Sequence, residues 1–114
     1  MQLSPIDYLY HILDECNYLL QATHGLPKAE FLRDPTLRRA FVRSLEIIGE
    51  ATKHLPEDLC QRHPVIEWRS IAGMRDRLIH AYFGVDYELV WNVITDKIPA
   101  LQQEITSMIN ELSQ

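Results

Sequence analysis

Residues 34–51, DPTLRRAFVRSLEIIGEA, decide the fold class of this 114-residue chain. Asp34 is a typical helix-capping residue, and Pro35 suits the first position of a helix. Apolar residues then recur at steps of three or four, which places them on one helical face. They are Leu37, Phe41, Leu45, Ile48 and Ala51. The pattern predicts an amphipathic helix that begins at Pro35 and ends near Leu55.

Similar patterns on either side predict three further main helices, from residue 5 to 25, from about 68 to 83, and from 86 to 112. Gly84 follows the third main helix as a natural C-terminal cap. Pro99 is expected to kink or split the last helix near Asp96. Residues 56–64 indicate a short helical turn and loop, and no sustained alternation predicts a strand. The sequence therefore predicts one all-α domain over residues 1–114, an up-and-down bundle of four main helices and one or two short helices.

Composition is typical of a soluble globular domain. Hydrophobic residues make up 46% of the chain and charged residues 24%, which are ordinary values for a folded protein. Cys16 and Cys60 do not have the spacing of a zinc site or the number needed for a disulfide scaffold. The N-terminal residues lack the basic and apolar regions of a signal peptide. We therefore expect a reduced, cytoplasmic protein without a metal or other cofactor.

Charge is distributed unevenly along the chain. The net charge is −5, from 11 Lys and Arg against 16 Asp and Glu, and this balance alone argues against a nucleic-acid partner. However, residues 33–80 carry +2, while the segments before and after them carry −3 and −4. Either the arginines of this middle segment bind phosphate, or they form a solvated helix face with salt bridges to Glu46, Glu50 and Asp76. The eight arginines are Arg33, Arg38, Arg39, Arg43, Arg62, Arg69, Arg75 and Arg77.

The richest cluster of reactive side chains lies in residues 74–82, MRDRLIHAY. If this segment is one helix, Asp76 and His80 are neighbours four residues apart, and the carboxylate orients the imidazole. Arg75 and Tyr82, two turns apart, then share a face. Arg75 and His80 are about 140° apart around an ideal helix. They act on one phosphate only if both side chains converge on a cleft or if two chains each contribute one.

These side chains suit RNA cleavage by attack of the 2′-hydroxyl. The reaction needs an acid or base that titrates near neutral pH, which His80 supplies. It also needs a fixed cation at the phosphoryl oxygens, which Arg75 supplies. An arginine followed five residues later by a histidine is also common by chance, and a histidine on a helix surface is more often structural than catalytic. The spacing alone leaves both interpretations open.

The segment from Arg75 to Tyr82 resembles the R-x4-6-H-x-Y motif of the HEPN superfamily, in particular of its HepT-like toxins. The resemblance covers essentially the whole chain. It includes SLEIIGEA at residues 44–51, WRSIAGMR at 68–75, YFGVD at 82–86, and the later groups Val90-Trp91 and Pro99-x-Leu101.

The resemblance implies an all-α homodimer whose two motif helices build a composite, metal-independent endoribonuclease site. Arg75 and His80 are then the catalytic pair, with Asp76 and Arg77 as supporting residues. Tyr82 is the tyrosine to which a partner antitoxin, a minimal nucleotidyltransferase, transfers AMP. The chain is thus expected to be the toxin of a type VII-like toxin–antitoxin system with RNA as its substrate. The alternative is a non-catalytic nucleotide-binding or dimerisation partner of the nucleotidyltransferase.

Several other positions have competing interpretations. Glu46 and Glu50 lie one turn apart, so they either pair with Arg75 or Arg77 or face solvent. Gly49 and Gly73 are expected inside helices, where close helix packing explains them. The candidate RNA-binding residues of the arginine-rich middle segment are Arg38, Arg39 and Arg43.

Aromatic and imidazole side chains outside the motif are expected to have structural roles. Trp68 and Trp91 could stack on bases, but core or interface packing is the favoured interpretation. The remaining histidines share no spacing, so we expect them at the surface or at helix caps, and the remaining tyrosines in packing. They are His11, His24, His54 and His63, and Tyr8, Tyr10, Tyr18 and Tyr87.

Overall fold

A computed structural model of the chain describes residues 3–80 and 84–114, except for the side chain of His80. Within these residues the fold is a helical bundle, which confirms the all-α prediction. Three long helices form its body, and short helices and a two-stranded hairpin join them. The elements are α1 (Pro5–Thr23), α2 (Lys28–Arg33), α3 (Pro35–Thr52), α4 (Glu57–Gln61), α5 (Trp68–Ala72), α6 (Met74–Leu78), β1 (Ile79–His80), β2 (Gly84–Val85) and α7 (Tyr87–Leu112).

The long helices enclose one hydrophobic core. Helix α1 packs against both α3 and α7, and each of the three contributes apolar residues at helical spacing. Each fully buried large apolar side chain contributes about 1.5–3 kcal/mol relative to an exposed one. The stripes recognised in the sequence therefore supply the main driving force for assembly. Fully buried members include Leu9, Ile12, Phe41, Ile48, Ile98 and Ile105.

Capping residues fix where the long helices begin. The backbone N–H of Ser4 donates to the carboxylate of Asp7 at 2.9 Å before α1. The Asp34 carboxylate accepts from the backbone N–H groups of Thr36 and Leu37 at the start of α3. These bonds satisfy donors that lack a partner within the helix. The starts predicted from the Ser-Pro and Asp-Pro pairs are confirmed.

The third main helix differs from the prediction of a single helix over residues 68–83. It is interrupted at Gly73, and α6 ends at Leu78. The next two residues form strand β1, which pairs antiparallel with β2, so that Ile79 lies opposite Val85. Gly84 adopts a φ of +81°, but it does so in this hairpin rather than at a helix C-terminus.

Tertiary packing explains why the helix stops there. Ile79 and Val85 are both half-buried against the core, and β-branched residues suit an extended, half-buried surface. The Leu78 carbonyl, which a longer helix would use internally, accepts the backbone N–H of Asp86 at 2.9 Å. The predicted helical neighbours Asp76 and His80 therefore do not share a helix.

Two further differences concern helix α7 and helix α2. Helix α7 continues through Pro99, so the predicted split near Asp96 does not occur. Pro99 lies on the exposed face, where water can solvate the carbonyl that the proline leaves without a donor, and the buried apolar stripe continues on both sides. Helix α2 has only six residues, and the sequence pattern did not predict it.

Candidate functional site

Gly49 brings the short helices α5 and α6 close to α3. A Cβ atom built at Gly49 would lie 3.2 Å from the backbone oxygen of Ile71 and 3.5 Å from that of Ala72. A larger residue would push these carbonyls away. The predicted close packing at Gly49 is confirmed, and it places the start of α6 beside the exposed face of α3. Gly73, by contrast, lies between α5 and α6 rather than inside a helix.

Arg75 forms an ion pair with Glu46 across this contact. Its Nε atom lies 3.1 Å from Oε2 of Glu46, and the Arg75 side chain is 55% exposed while that of Glu46 is 25% exposed. Of the two interpretations of Glu46, pairing with Arg75 is confirmed. Glu50 instead pairs with Lys53, the residue that follows its own helix. Among the described residues this bond occupies only Nε, so the terminal guanidinium nitrogens remain available to an anion.

Arg75 lines a groove of about 540 Å³ between α1, α3 and α6. This groove, called the Arg75 groove below, falls within the range of roughly 300–1,000 Å³ that is typical of small-molecule sites. Of the described residues, two arginines and two glutamates line it, so these side chains do not make it strongly cationic. The lining residues are Tyr8, His11, Arg43, Glu46, Ile47, Glu50, Ala51, His54 and Arg75.

One end of the Arg75 groove carries aromatic and imidazole rings. The rings of Tyr8 and His54 are stacked, with centroids 4.7 Å apart and planes 6° apart. The ring of His11 lies 6.4 Å from that of Tyr8 at a tilt of 57°. Sequence reasoning assigned these residues to packing, surface or caps. Their separation in the chain left no local spacing that could have indicated a shared groove.

The structure describes only some of the other motif residues. Asp76 is exposed on α6. Arg77 lines a different cavity, of about 410 Å³, against α7, so within one chain it does not face the Arg75 groove. His80 lies in β1, but its side chain is outside the described residues, and so is Tyr82. The predicted roles of these four residues stay predictions.

The three arginines predicted to bind RNA are separated. Arg43 lines the Arg75 groove, and the exposed Arg39 lies one turn earlier on the same helix face. Arg38 instead lies over the ring of Tyr87, with its guanidinium carbon 4.8 Å from the ring centroid. Arg62 pairs with Glu111 on α7, away from the groove. The arginine-rich middle segment is thus divided between several surfaces of one chain.

A second polar cluster joins the loop before α5 to helix α7. The Nδ1 atom of His63 lies 2.7 Å from Glu104, and its Nε2 atom lies 2.7 Å from Glu111. Burial disfavours the charged ring, but the hydrogen bonds to these two carboxylates outweigh it, so the pKa of His63 is raised. Trp68 donates its indole N–H to the carbonyl of His63 at 3.0 Å. Trp68 thus packs in this cluster, and His63 is a bridging rather than a surface residue.

The cysteines and acidic groups offer little further chemistry. Burial raises the pKa of the Cys16 thiol to about 12, so it is not a nucleophile at neutral pH. Across residues 3–80 and 84–114, no three or more His, Cys, Asp or Glu side chains are grouped to hold a metal ion.

No helix in that part of the chain is both long and apolar enough to cross a membrane.

Comparison with known proteins identifies one family. The model of the family described as "Ribonuclease HepT-like" matches residues 12–108. A protein of Caldanaerobacter subterraneus subsp. tengcongensis named "Putative RNase" is 47% identical over 108 residues, which are 95% of this chain and 96% of that protein. A "Probable ribonuclease HepT" of Thermococcus cleftensis is 43% identical, covering 90% of this chain and 93% of its own length. A "Putative RNase" of Methanocaldococcus jannaschii is 40% identical over 92% of this chain and 87% of its own. No solved structure matches the chain.

Proposed function

The chain belongs to the HepT-like ribonuclease family of the HEPN superfamily, and we propose that it is a metal-independent endoribonuclease. The observation that carries the proposal is the placement of Arg75. A half-exposed guanidinium is held in the lining of a groove by one carboxylate, and within residues 3–79 and 84–114 its terminal nitrogens have no partner. Relatives that match nearly the full length of this chain are named as RNases.

The proposed reaction is an internal transesterification of RNA. The 2′-hydroxyl attacks the adjacent phosphorus, the 5′-oxygen leaves, and a 2′,3′-cyclic phosphate and a free 5′-hydroxyl are formed. His80 acts as the general acid or base for these proton transfers. Arg75 stabilises the charge that develops on the phosphoryl oxygens, a contribution of about 100- to 1,000-fold in rate for a well-placed donor. Asp76 and Arg77 support the site, and Arg39 and Arg43 guide the RNA toward it.

The proposed site is shared by two chains of a homodimer. One chain gives the Arg75 groove equal numbers of arginines and glutamates, which is a weak attractant for a polyanion. A two-fold axis near the motif would bring two copies of Arg75 and His80 together. The composite site would then hold two copies of Arg75 and His80 around one phosphate, in a protein whose net charge is −5.

Regulation by a nucleotidyltransferase completes the proposal. A minimal nucleotidyltransferase antitoxin transfers AMP to Tyr82, two positions after His80 in the sequence. The added nucleotide is bulky, and its phosphate carries a negative charge that would occupy the guanidinium of Arg75 and repel RNA. The chain would then be the toxin of a type VII-like toxin–antitoxin pair.

Cleavage by the purified chain tests the proposal directly. The protein, freed of any partner, is incubated with cellular RNA in excess chelator, and the product ends are determined. We expect 2′,3′-cyclic phosphate ends, with a loss of at least about 100-fold in Arg75→Ala and His80→Ala. Arg33→Ala is the matched control, because Arg33 is exposed and lies outside the Arg75 groove. Equal activity in His80→Ala and the wild type would contradict the catalytic assignment.

Intact mass and toxicity test the partner. Co-production with the nucleotidyltransferase is expected to add one or more AMP units, which Tyr82→Phe abolishes. If the chain inhibits growth only without its partner, the toxin assignment holds. If Arg75→Ala and His80→Ala change only nucleotide affinity or complex formation and the wild type never cleaves RNA, the non-catalytic alternative is correct.

A further inference from the structure

We propose that Tyr8, His11 and His54 form a base-binding subsite, which stacks one unpaired nucleobase of the RNA beside the phosphate that Arg75 contacts. The inference rests on the proposed ribonuclease function, since that function supplies RNA as the ligand. It goes further by naming the single-stranded form of RNA as the substrate.

The stacked pair is the first observation. Tyr8 lies on α1, and His54 lies in the turn after α3, where its backbone N–H donates to the Ala51 carbonyl at 3.1 Å. Their rings are nearly parallel, with planes 6° apart and centroids separated by 4.7 Å. Tyr8 is half-buried and His54 is exposed, so the stack extends from the core edge out to solvent. An exposed planar ring at its end gives a base a surface to stack on.

The second observation is the combination of groups in one groove. A nucleotide presents a flat, largely apolar base and an anionic phosphate. The Arg75 groove matches both, because rings line one end and the guanidinium groups of Arg43 and Arg75 also line it. His11 lies beside Tyr8 at a tilt of 57°, and its imidazole nitrogens add hydrogen-bonding groups to the same groove.

Other exposed tyrosines on α1 do not take part in the ring cluster of the Arg75 groove. Tyr10 and Tyr18 are 47% and 40% exposed, yet neither lines the Arg75 groove. The aromatic lining therefore depends on the meeting of α1 with the turn after α3, not on a general abundance of tyrosine along the helix.

Single-stranded RNA is the form that fits this subsite. Bases in an A-form duplex are stacked on each other, and side chains cannot enter the deep, narrow major groove. An unpaired base can leave its neighbours and stack on an aromatic or imidazole ring, which changes affinity by about 10-fold or more per base. A purine, with its larger ring system, is expected to be preferred modestly at this position.

The test uses a short single-stranded RNA that the wild type cleaves at one site, with two modified forms. In one form the base next to the cleaved phosphate is removed, and in the other it is 2-aminopurine, whose fluorescence falls when it stacks. We expect base removal to lower kcat/KM of the wild type by about 10-fold. The same removal should have little further effect on His54→Ala, because that variant has already lost the stacking surface. The 2-aminopurine quenching should be weaker in His54→Ala.

Variants of Tyr8 separate stacking from folding. Tyr8→Phe retains the ring and should behave as the wild type, whereas Tyr8→Leu should behave as His54→Ala. The exposed His54 carries the test if Tyr8→Leu fails to fold, since Tyr8 also packs against the core. His24→Ala and Tyr10→Leu are matched controls outside the groove, and both should keep the full effect of base removal.

The outcomes distinguish this inference from the proposed function. In one outcome, RNA is cleaved and base removal lowers kcat/KM equally in the wild type, His54→Ala and the controls. This result would overturn the subsite but leave the proposed ribonuclease function standing. If no RNA is cleaved, the proposed function fails, but quenching by wild type and its loss in His54→Ala would still support a base-binding subsite. An absence of quenching in the wild type would overturn the subsite in either case.

Discussion

The Nε atom of Arg75 on α6 lies 3.1 Å from Oε2 of Glu46, which is 29 positions earlier on α3. This contact ties a short helix of five residues to α3, a helix of 18 residues. The guanidinium is thereby aimed by a bond to one of its nitrogens, while the other two have no partner among the residues that the structure describes. A catalytic cation must be fixed before the substrate arrives, because reorganisation during the reaction reduces its effect.

Glu46→Ala is predicted to impair cleavage without unfolding the protein. The pair is largely exposed on the Arg75 side, so its contribution to stability is at most about 1 kcal/mol. A guanidinium that is no longer fixed reaches the phosphate in poor geometry, and kcat should fall by up to about 100-fold. KM should stay the same or decrease, since a negative charge has left the groove.

Glu50→Ala is the matched control for Glu46→Ala. It removes a carboxylate from the same groove and the same helix face, but from a residue that pairs with Lys53 instead of Arg75. The two variants are compared by single-turnover cleavage and thermal unfolding. An equal fall in kcat for both would mean that Glu46 acts through groove charge and not by positioning Arg75.

Gly49→Ala is predicted to destabilise the fold. An alanine in a helix interior normally gains about 1 kcal/mol over glycine. At Gly49 the new Cβ would lie 3.2 Å from the backbone oxygen of Ile71, and separating two packed helices costs about 1–3 kcal/mol. We expect a net loss of about 1 kcal/mol in the free energy of unfolding, measured by urea denaturation. An increase in the free energy of unfolding would show that α5 can move away from α3 without an energetic penalty. In that case α3 would not fix the position of α6.

Local signals in the sequence were sufficient for much of the fold. The starts of the three long helices were predictable, because each has a capping residue that hydrogen-bonds to a residue two or three positions later. These capping residues are Ser4 for α1, Asp34 for α3 and Asp86 for α7. The end of α6 was not predictable, because it depends on the packing of Ile79 and Val85 against the core and against each other. Helical periodicity alone extended that helix too far.

The sequence predicted the parts of the site whose residues lie close together in the chain. The motif indicated Arg75, and its pairing with Glu46 was one of two alternatives for that glutamate. The ring stack of Tyr8 and His54 joins positions far apart in sequence, so no spacing could indicate it. The same holds for His63, whose carboxylate partners lie 41 and 48 positions away.

The His63 cluster is predicted to make stability depend on pH. Its folded-state pKa is raised above the ordinary value of 6.5. The stabilisation is therefore fully present below pH 6.5 and is lost as the pH rises through the raised value. At the acid end, hydrogen bonds from His63 and Arg62 lower the pKa of Glu111 below its ordinary 4.5, so its contribution disappears as the pH falls through that lowered value.

Urea unfolding between pH 4 and pH 9 measures this dependence. The wild type should lose stability above about pH 6.5, and His63→Gln should show a flatter profile in this range. His24→Gln is the control, because the exposed His24 has no carboxylate partner among the described residues. A slope above pH 6.5 that persists unchanged in His63→Gln would assign the dependence to another group.

Subunit mixing is predicted to restore activity if the site is shared between two chains. A mixed dimer of Arg75→Ala and His80→Ala chains holds one site with both residues intact and one with neither. Because about half of the dimers in an equimolar exchange are mixed, about a quarter of wild-type activity should return. Exchange is checked by intact mass of differently tagged chains. A mixture of Arg75→Ala with the double variant is the control and should stay inactive. Mixed dimers without activity would place Arg75 and His80 of one site in the same chain.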